Sequence, residues 1–258
     1  MIKTVAISAL FAVVVALLSS HPVVLKAWQD YASPGTYACD YDGYRMEIVS
    51  VDPLVMYIND FLSEGEVDGL LQAGEGKYNE SRIFASGLKR KDSQRESLTA
   101  PIPTDNQIAQ CVQSRVRNIM GSTLSPTKDE ISIPQLTKYE AGGKYDLHQD
   151  WYRGPQKLKD GRKFNRLSSF YTFMEDGCTE GEMHLPGVKA VNYEGAEGRY
   201  REHEGGGVAF KPVRGNAVFW MNMKGADGAT GDDRVKNADL PVGEGEKIVM
   251  SVWAKKFY

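Results

Sequence analysis

Residues 136–150 read LTKYEAGGKYDLHQD, and this segment is the most informative part of the chain. Alternating segments on either side of a Gly-Gly turn are typical of neighbouring β-strands. Side chains two apart on a strand share a face, so His148 and Asp150 are predicted to lie side by side. One histidine and one carboxylate are two of the three ligands in the facial triad of non-haem Fe(II) sites. A surface or packing role for this pair is the alternative.

The remainder of the chain indicates helices first and strands afterwards. A capping box at Ser63 and Glu66 predicts one helix, and the apolar spacing over 104–120, with Thr104 at its start and Gly121 as its stop, predicts another. Alternating patterns predict strands at 46–51, 54–58, 131–139, 145–151, 167–174, 207–213, 217–222 and 247–253. This order predicts an α+β chain whose strands form a jelly roll braced by the N-terminal helices. Residues 154–165 and 190–206 are predicted to be either lids or plain connections.

The N-terminal segment is predicted to direct the chain into the secretory pathway. Lys3 precedes an apolar run at 5–18, so residues 1–25 have the features of a signal peptide or signal anchor. Residues 26–44 are expected to be a linker and residues 45–258 a globular domain. The expected location is the endoplasmic reticulum lumen, its membrane with a lumenal domain, or the outside of the cell. The alternative is a buried N-terminal helix in a cytosolic enzyme.

Composition excludes one class of partner and leaves other features open. The net charge of −3 is spread along the 258 residues, so nucleic acid is not an expected partner. Contact with a membrane is expected only through an uncleaved N-terminal segment.

The Asn79-Glu-Ser tripeptide is a candidate glycosylation site. The three cysteines, Cys39, Cys111 and Cys178, allow one disulfide and one free thiol but do not identify the pair.

Lys247 begins an apolar strand near the C-terminus. Alternation places it on the same face as Val249, Ser251 and Trp253. A lysine that faces inward needs a counter-charge, because an unpaired buried ammonium is costly. An acidic small molecule would supply that charge. The alternative is a lysine at the frayed end of the strand with its amine in solvent.

Several ordered motifs resemble one protein family. Residues 136–150 are similar to the iron-binding segment of the prolyl 4-hydroxylase-like, 2-oxoglutarate- and Fe(II)-dependent dioxygenases. Three further segments resemble motifs of that family: EGEMHLP at 180–186, KPVRGNAVFW at 211–220 and NADLPVGEGEK at 237–247. The resemblance runs from about Val51 to the C-terminus. It implies a double-stranded β-helix fold, with Fe(II) and 2-oxoglutarate as cofactors and ascorbate as reductant.

The resemblance also implies roles for individual residues. His148 and Asp150 correspond to iron ligands, and Asn237 stands where the family has its distal iron-binding histidine. Tyr139 and Lys247 correspond to the residues that bind the far carboxylate of 2-oxoglutarate. A further residue, Trp253, corresponds to an aromatic side chain that lines the same pocket.

Two departures from the family pattern bear on activity. A threonine that the family often points toward 2-oxoglutarate is Met183 here, which removes one hydrogen bond. The change to Asn237 is larger, because an amide oxygen is a weaker ligand for iron than an imidazole. His184 and His203 are candidates for a replacement ligand, and each has a packing or surface role as its alternative.

Three functions remain open at this level. The first is an Fe(II)- and 2-oxoglutarate-dependent dioxygenase that hydroxylates or desaturates a substrate, either peptidyl, with proline as one target, or a small metabolite. The second is a degenerate oxygenase that binds a ligand without oxidising it, because Asn237 replaces a metal ligand. The third is a repurposed, non-redox isomerase or cyclase in which a bound metal acts as a Lewis acid.

Overall fold

The computed structural model describes residues 38–39, 43–85, 88–90, 93–225 and 229–258. The predicted signal segment, residues 1–25, and most of the predicted linker lie outside the described residues. Within the described part of the chain, no helix is long and apolar enough to cross a membrane. The chain divides into two compact units, Met1–Cys39 and Asp40–Tyr258, and the elements below belong to the second.

In the described part of this unit, both α-helices lie in the first half and a long series of strands follows them. The helices are α1 (Glu64–Gly74) and α2 (Gln107–Met120). The strands are β1 (Arg45–Ser50), β2 (Val55–Asn59), β3 (Asn79–Glu80), β4 (Ile83–Ala85), β5 (Leu88–Arg90), β6 (Arg95–Glu96), β7 (Leu98–Pro101), β8 (Glu130–Ile131), β9 (Gln135–Glu140), β10 (Lys144–His148), β11 (Gln156–Lys157), β12 (Lys163–Glu175), β13 (Cys178–Glu180), β14 (Met183–Leu185), β15 (Tyr200–Glu202), β16 (Val208–Phe210), β17 (Ala217–Met221), β18 (Met223–Lys224), β19 (Thr230–Gly231), β20 (Asn237–Asp239) and β21 (Val242–Phe257).

The larger sheet forms one wall of the barrel. Its strands run in the order β1-β2-β17-β12-β21-β9-β7-β3, with β11 beside β12 and both β8 and β13 beside β21. The two longest strands, β12 and β21, pair antiparallel from Phe164–Phe257 to Glu175–Ile248. Their side chains are largely buried, as expected for the centre of a sheet that is covered on its inner face.

The smaller sheet faces the larger one across a cavity. Its order is β15-β16-β14-β20-β10-β6, and every described pairing within it is antiparallel. Tyr139 of β9 and Tyr171 of β12 donate hydrogen bonds to Asp239 of β20, so side chains join the two sheets directly. This arrangement is the predicted jelly roll, and the prediction of an α+β fold with a double-stranded β-helix core is confirmed.

The helices pack on the larger sheet and are joined by a buried ion pair. Ser63 caps α1 through the predicted capping box with Glu66. The guanidinium of Arg115 on α2 contacts the same Glu66 carboxylate at 2.7 Å, and both side chains are buried. A second nitrogen of Arg115 donates to the Phe61 carbonyl at 2.5 Å. The cap of one helix therefore also fixes the position of the other.

One helix boundary differs from the prediction. Helix α2 begins at Gln107, because Asn106 rather than Thr104 accepts the hydrogen bond of the Ala109 N–H and acts as the cap. Asparagine is at least as good a cap as threonine, so the later cap is physically reasonable. The predicted stop is confirmed: Gly121 follows the helix with φ at 50°.

The structure shows the oxidation state of each cysteine. Cys39 and Cys111 are disulfide-bonded, and Cys178 is a free thiol. The candidate glycosylation site Asn79 is exposed, in the short strand β3 rather than in a loop.

Candidate functional site

The space between the two sheets is a cavity of about 1190 Å³. Its inner wall includes residues of β9, β12 and β21 from the larger sheet and of β10 and β20 from the smaller one. The chemically informative residues of this lining are Arg95, Tyr139, His148, Asp150, Arg166, Tyr171, Asn237, Asp239 and Trp253. Five of the six residues that the sequence assigned to the site therefore line the cavity. The sixth, Lys247, does not line it.

His148 ends β10 and is held in one orientation. Its Nδ1 lies 2.9 Å from the carbonyl oxygen of Asp146, and its ring stacks on Tyr145 with a centroid separation of 3.5 Å. In its neutral form, a ring that donates Nδ1–H to a carbonyl has its lone pair on Nε2, which is the arrangement of a metal-binding histidine. This Nε2 lies 3.5 Å from Asp150 Oδ1. The predicted side-by-side placement of the imidazole and the carboxylate is therefore present.

Asp150 is fixed by two donors on its other oxygen. Its Oδ2 accepts hydrogen bonds from the Ser169 hydroxyl at 2.6 Å and from the Trp253 indole N–H at 2.8 Å. Burial alone raises the pKa of Asp150, but the hydrogen bond and charge that His148 supplies when its ring is protonated, the Arg166 charge and the Ser169 hydrogen bond outweigh burial, so the pKa lies well below its usual range. The carboxylate is thus ionised at neutral pH, as a metal ligand must be.

Asn237 begins β20 and lies opposite His148. The two residues are direct partners in the antiparallel pairing of β10 and β20. The Asn237 side chain is buried, and its Nδ2 has no hydrogen-bond partner among the residues that the structure describes. An unpaired polar atom in a buried site costs about 1–3 kcal/mol. The Asn237 amide carries a carbonyl oxygen and an NH₂ group. The oxygen can bind a metal ion, and the NH₂ group can donate a hydrogen bond to a bound ligand.

Lys247 has a counter-charge that the sequence analysis did not identify. Its ammonium lies 2.8 Å from Asp239 Oδ1 and donates a second hydrogen bond to the Gly181 carbonyl at 2.7 Å. Lys247 is 0% exposed and Asp239 is 4% exposed. Lys247 therefore faces inward as predicted, but the carboxylate that pairs with it belongs to the chain. The alternative of a solvated amine at a frayed strand end is wrong.

Asp239 also takes the hydrogen bond that was expected of Tyr139. The Tyr139 hydroxyl donates to Asp239 Oδ2 at 2.7 Å, and the Tyr171 hydroxyl donates to Oδ1. Burial raises the pKa of Asp239, but Lys247 and the two tyrosines outweigh burial and lower the pKa overall. Burial and the nearby Asp239 charge raise the pKa of Tyr139 well above its usual value. The result is a buried, ionised carboxylate held by three donors.

Asp239, Tyr171 and Ser169 are the site residues that sequence reasoning missed. One signal for Asp239 was present, because Asn237-Ala-Asp stands where the resembling family has His-Ala-Gly. A glycine there leaves space beside the lysine, whereas an aspartate fills that space with a carboxylate. Met183 is the direct strand partner of Asp239 and is completely buried.

The two histidines considered as replacements, His184 and His203, do not supply the missing ligand. The rings of His184 and His203 lie 4.1 Å apart, and His184 Nε2 is 2.7 Å from the Gly206 carbonyl oxygen. Neither residue lines the cavity. Of the two candidate lids, residues 154–165 contribute Gly154 and Gln156 to the lining, and residues 190–206 contribute none.

Trp253 supports Asp150, which goes beyond the pocket-lining role expected of it. Trp253→Phe removes the N–H donated to Asp150, so we expect metal affinity to fall by roughly 10–100-fold, as is typical when a partner of a ligand is lost. The measurement is a calorimetric Zn(II) titration. The matched control is Trp220→Phe, because Trp220 is a buried tryptophan whose indole nitrogen has no partner among the described residues. Equal losses in both variants would show that Trp253 acts only through packing.

The residues present fit iron better than they fit 2-oxoglutarate. His148 and Asp150 supply an imidazole and a carboxylate with open space in front of them, and Asn237 adds a neutral amide. No cluster of three or more His, Cys, Asp or Glu residues suited to a metal occurs in the described ranges. The far carboxylate of 2-oxoglutarate does not fit at Lys247 as the site stands, because Asp239 already occupies the donors there.

Comparisons with known proteins point to one group of enzymes. No family model matches the chain. Probable prolyl 4-hydroxylase 7 of Arabidopsis thaliana is 25% identical over 232 residues, which cover 83% of this chain and 66% of that protein. The prolyl 4-hydroxylase subunit alpha-2 of Gallus gallus is 26% identical over 204 residues, which cover 78% of this chain and 34% of the subunit. The chain thus spans less than two thirds of these two relatives.

Solved structures agree with the fold. The viral collagen prolyl hydroxylase of Paramecium Bursaria Chlorella virus-1, solved as a 2OG complex, matches with a TM-score of 0.55 and 21% identity over 84% of this chain and 98% of that one. A Trichoplax adhaerens prolyl hydroxylase, in complex with a hypoxia inducible factor peptide fragment, matches with a TM-score of 0.51 and 13% identity over 92% and 94% of the two chains. The chain is therefore similar in sequence to prolyl 4-hydroxylases over most of its length, and it has the double-stranded β-helix fold of these solved structures.

Proposed function

We propose that this chain is an Fe(II)-dependent oxygenase that hydroxylates a peptidyl substrate, with proline as the first target to test. The observation that carries the proposal is the His148–Asp150 pair, which lies inside the cavity with both side chains fixed for metal binding. Bound Fe(II) would supply the activation of oxygen. The prolyl 4-hydroxylase relatives support the same reaction class.

Within this function, each described residue has a defined task. His148 and Asp150 hold the metal, and the Asp146 carbonyl and Tyr145 ring keep the imidazole in place. Ser169 and Trp253 hold the carboxylate so that its other oxygen faces the metal position. No proton-transfer residue is assigned.

The size and rim of the cavity favour a peptide over a small metabolite. Its volume of about 1190 Å³ exceeds the roughly 300–1,000 Å³ of most small-molecule sites. Polar and aromatic side chains that suit peptide carbonyls and N–H groups line it, including Gln94, Tyr152, Arg153 and Gln156. The Trichoplax relative was solved with a peptide, which supports the same substrate class.

The test measures the mass of the peptide after incubation with the protein. Full-length protein with Fe(II), ascorbate and a 2-oxo acid is incubated with a set of proline-containing peptides, with 2-oxoglutarate and 2-oxopentanoate supplied in separate arms. We expect one added oxygen atom on a peptide, and no product with His148→Ala. Binding of a peptide without oxidation in either arm would contradict the proposal.

A ligand-binding protein without oxygenase activity is the second candidate. Asn237 favours it, because the loss of an imidazole ligand weakens a metal site. This function predicts peptide binding that is the same with and without Fe(II). The oxygenase function predicts that the same peptide is converted.

A further inference from the structure

We propose that Asp239 is a built-in substitute for the distal carboxylate of the co-substrate, so that the site selects a 2-oxo acid with an uncharged tail over 2-oxoglutarate. The choice of a 2-oxo acid rests on the proposed oxygenase function. The pairing of Asp239 with Lys247 is observed in the structure and does not depend on that function.

Donors that converge on Asp239 form a complete anion site. Lys247 and Tyr171 donate to one carboxylate oxygen, and Tyr139 donates to the other. The Lys247 ammonium also lies 4.7 Å from the centroid of the Tyr139 ring and donates to the Gly181 carbonyl. A small dicarboxylate would bring the same chemical group to the same donors. These donors are already used, and they are used by the chain itself.

The wall of the cavity passes between Lys247 and any ligand. Asp239, Tyr139 and Tyr171 line the cavity, whereas Lys247 does not and is completely buried. A ligand inside the cavity therefore meets the aspartate before it can meet the lysine. Reaching the ammonium would require Asp239 to leave a position that is fixed by three hydrogen bonds.

Charge balance disfavours a second carboxylate here. The buried pair of Lys247 and Asp239 is neutral, so a dicarboxylate tail placed beside it would add a negative charge that Lys247 no longer balances. Two other cations of the lining already have hydrogen-bond partners: Arg95 donates to Ser97 and Thr137, and Arg166 donates to the Asp150 carbonyl. Like charges in a buried site repel strongly, because screening by water is weak there. An uncharged tail avoids this repulsion. Val249 and Thr137, which line the cavity on the adjoining strands β21 and β9, offer apolar contact to such a tail.

The experiment compares two ligands of equal chain length. 2-Oxopentanoate carries a methyl group where 2-oxoglutarate carries its second carboxylate. Calorimetry with full-length protein and Zn(II), a redox-inert stand-in for Fe(II), measures both. We expect the chain to bind 2-oxopentanoate at least about tenfold more tightly than 2-oxoglutarate, and Asp239→Asn to shift this ratio by at least about tenfold toward 2-oxoglutarate. An unchanged ratio, or tighter binding of 2-oxoglutarate by the unaltered chain, would overturn the assignment.

A second measurement needs neither metal nor turnover. Asp239→Ala leaves the Lys247 ammonium unpaired, and an external carboxylate should restore its partner. We expect 2-oxoglutarate or succinate to raise the thermal midpoint of Asp239→Ala but not of the unaltered chain. The double variant Asp239→Ala, Lys247→Met removes both charges and should show no such rise.

The two measurements separate this inference from the proposed function. A chain that oxidises peptides but shows no carboxylate rescue in Asp239→Ala would refute the inference alone. A chain that shows the rescue but never oxidises a peptide would refute the oxygenase function and leave the role of Asp239 in place. Should Asp239→Ala fail to fold, Asp239→Asn, which keeps the size of the side chain, carries the test through its ratio of 2-oxopentanoate to 2-oxoglutarate affinity.

Discussion

Lys247→Met is expected to lower the free energy of unfolding by about 3–5 kcal/mol, the typical result of removing one partner from a buried ion pair. Asp239 would remain in the interior with a charge and no cation, held only by Tyr139 and Tyr171. Urea denaturation, followed by tryptophan fluorescence, measures the change. Removing a lysine that only binds a ligand would lower the stability of the ligand-free protein by less.

Two further variants make the Lys247 prediction specific. Replacing both partners, as Lys247→Met with Asp239→Leu, should recover most of the lost stability, because no charge is then left unpaired. Lys138→Met on the neighbouring strand removes a lysine whose partner Glu246 is partly exposed. That change should cost about 1 kcal/mol or less. Equal losses for Lys247→Met and Lys138→Met would show that the buried pair is not the cause.

Asn237→His is expected to tighten Fe(II) binding by at least about tenfold, since it adds an imidazole opposite His148 and completes the set of two histidines and one carboxylate. An anaerobic Fe(II) titration measures the affinity. His148→Ala should reduce binding by a much larger factor in the opposite direction, because it removes the stronger of the ligands present.

The controls for Asn237→His separate coordination from general effects. Asn237→Ala should bind Fe(II) no more tightly than the unaltered chain. His184→Asn changes a histidine outside the cavity and should leave the affinity unchanged. If Asn237→His and Asn237→Ala both bind Fe(II) as the unaltered chain does, position 237 is outside the coordination sphere.

Local patterns in the sequence predicted the elements that depend on local interactions. The capping box at Ser63, the stop at Gly121 and the long strands β12 and β21 follow from side-chain spacing and backbone preference within one segment. The two-residue strands, such as β3 and β6, were not predicted, because two residues carry no periodicity. The cap of α2 was misplaced since Thr104 and Asn106 are both good caps.

The site was predictable only in part, for the same physical reason. His148 and Asp150 are close in sequence, so strand alternation predicted them side by side, although β10 ends at His148 and Asp150 lies just beyond the strand. The contacts of Asp239 with Tyr139, Tyr171 and Lys247 join one sheet to the other, and no local pattern encodes them. Sequence reasoning could therefore require a counter-charge for Lys247, but only the fold identified which carboxylate supplies it.

The proposed function depends on a metal ion that His148 and Asp150 hold inside the cavity. Crystals of the protein soaked with Zn(II) test it most directly through the anomalous signal of the metal. One peak is predicted about 2.0–2.2 Å from both His148 Nε2 and Asp150 Oδ1, and no peak there is predicted for His148→Ala. A cavity without a peak at saturating Zn(II), or a peak bound by other residues, would contradict the account.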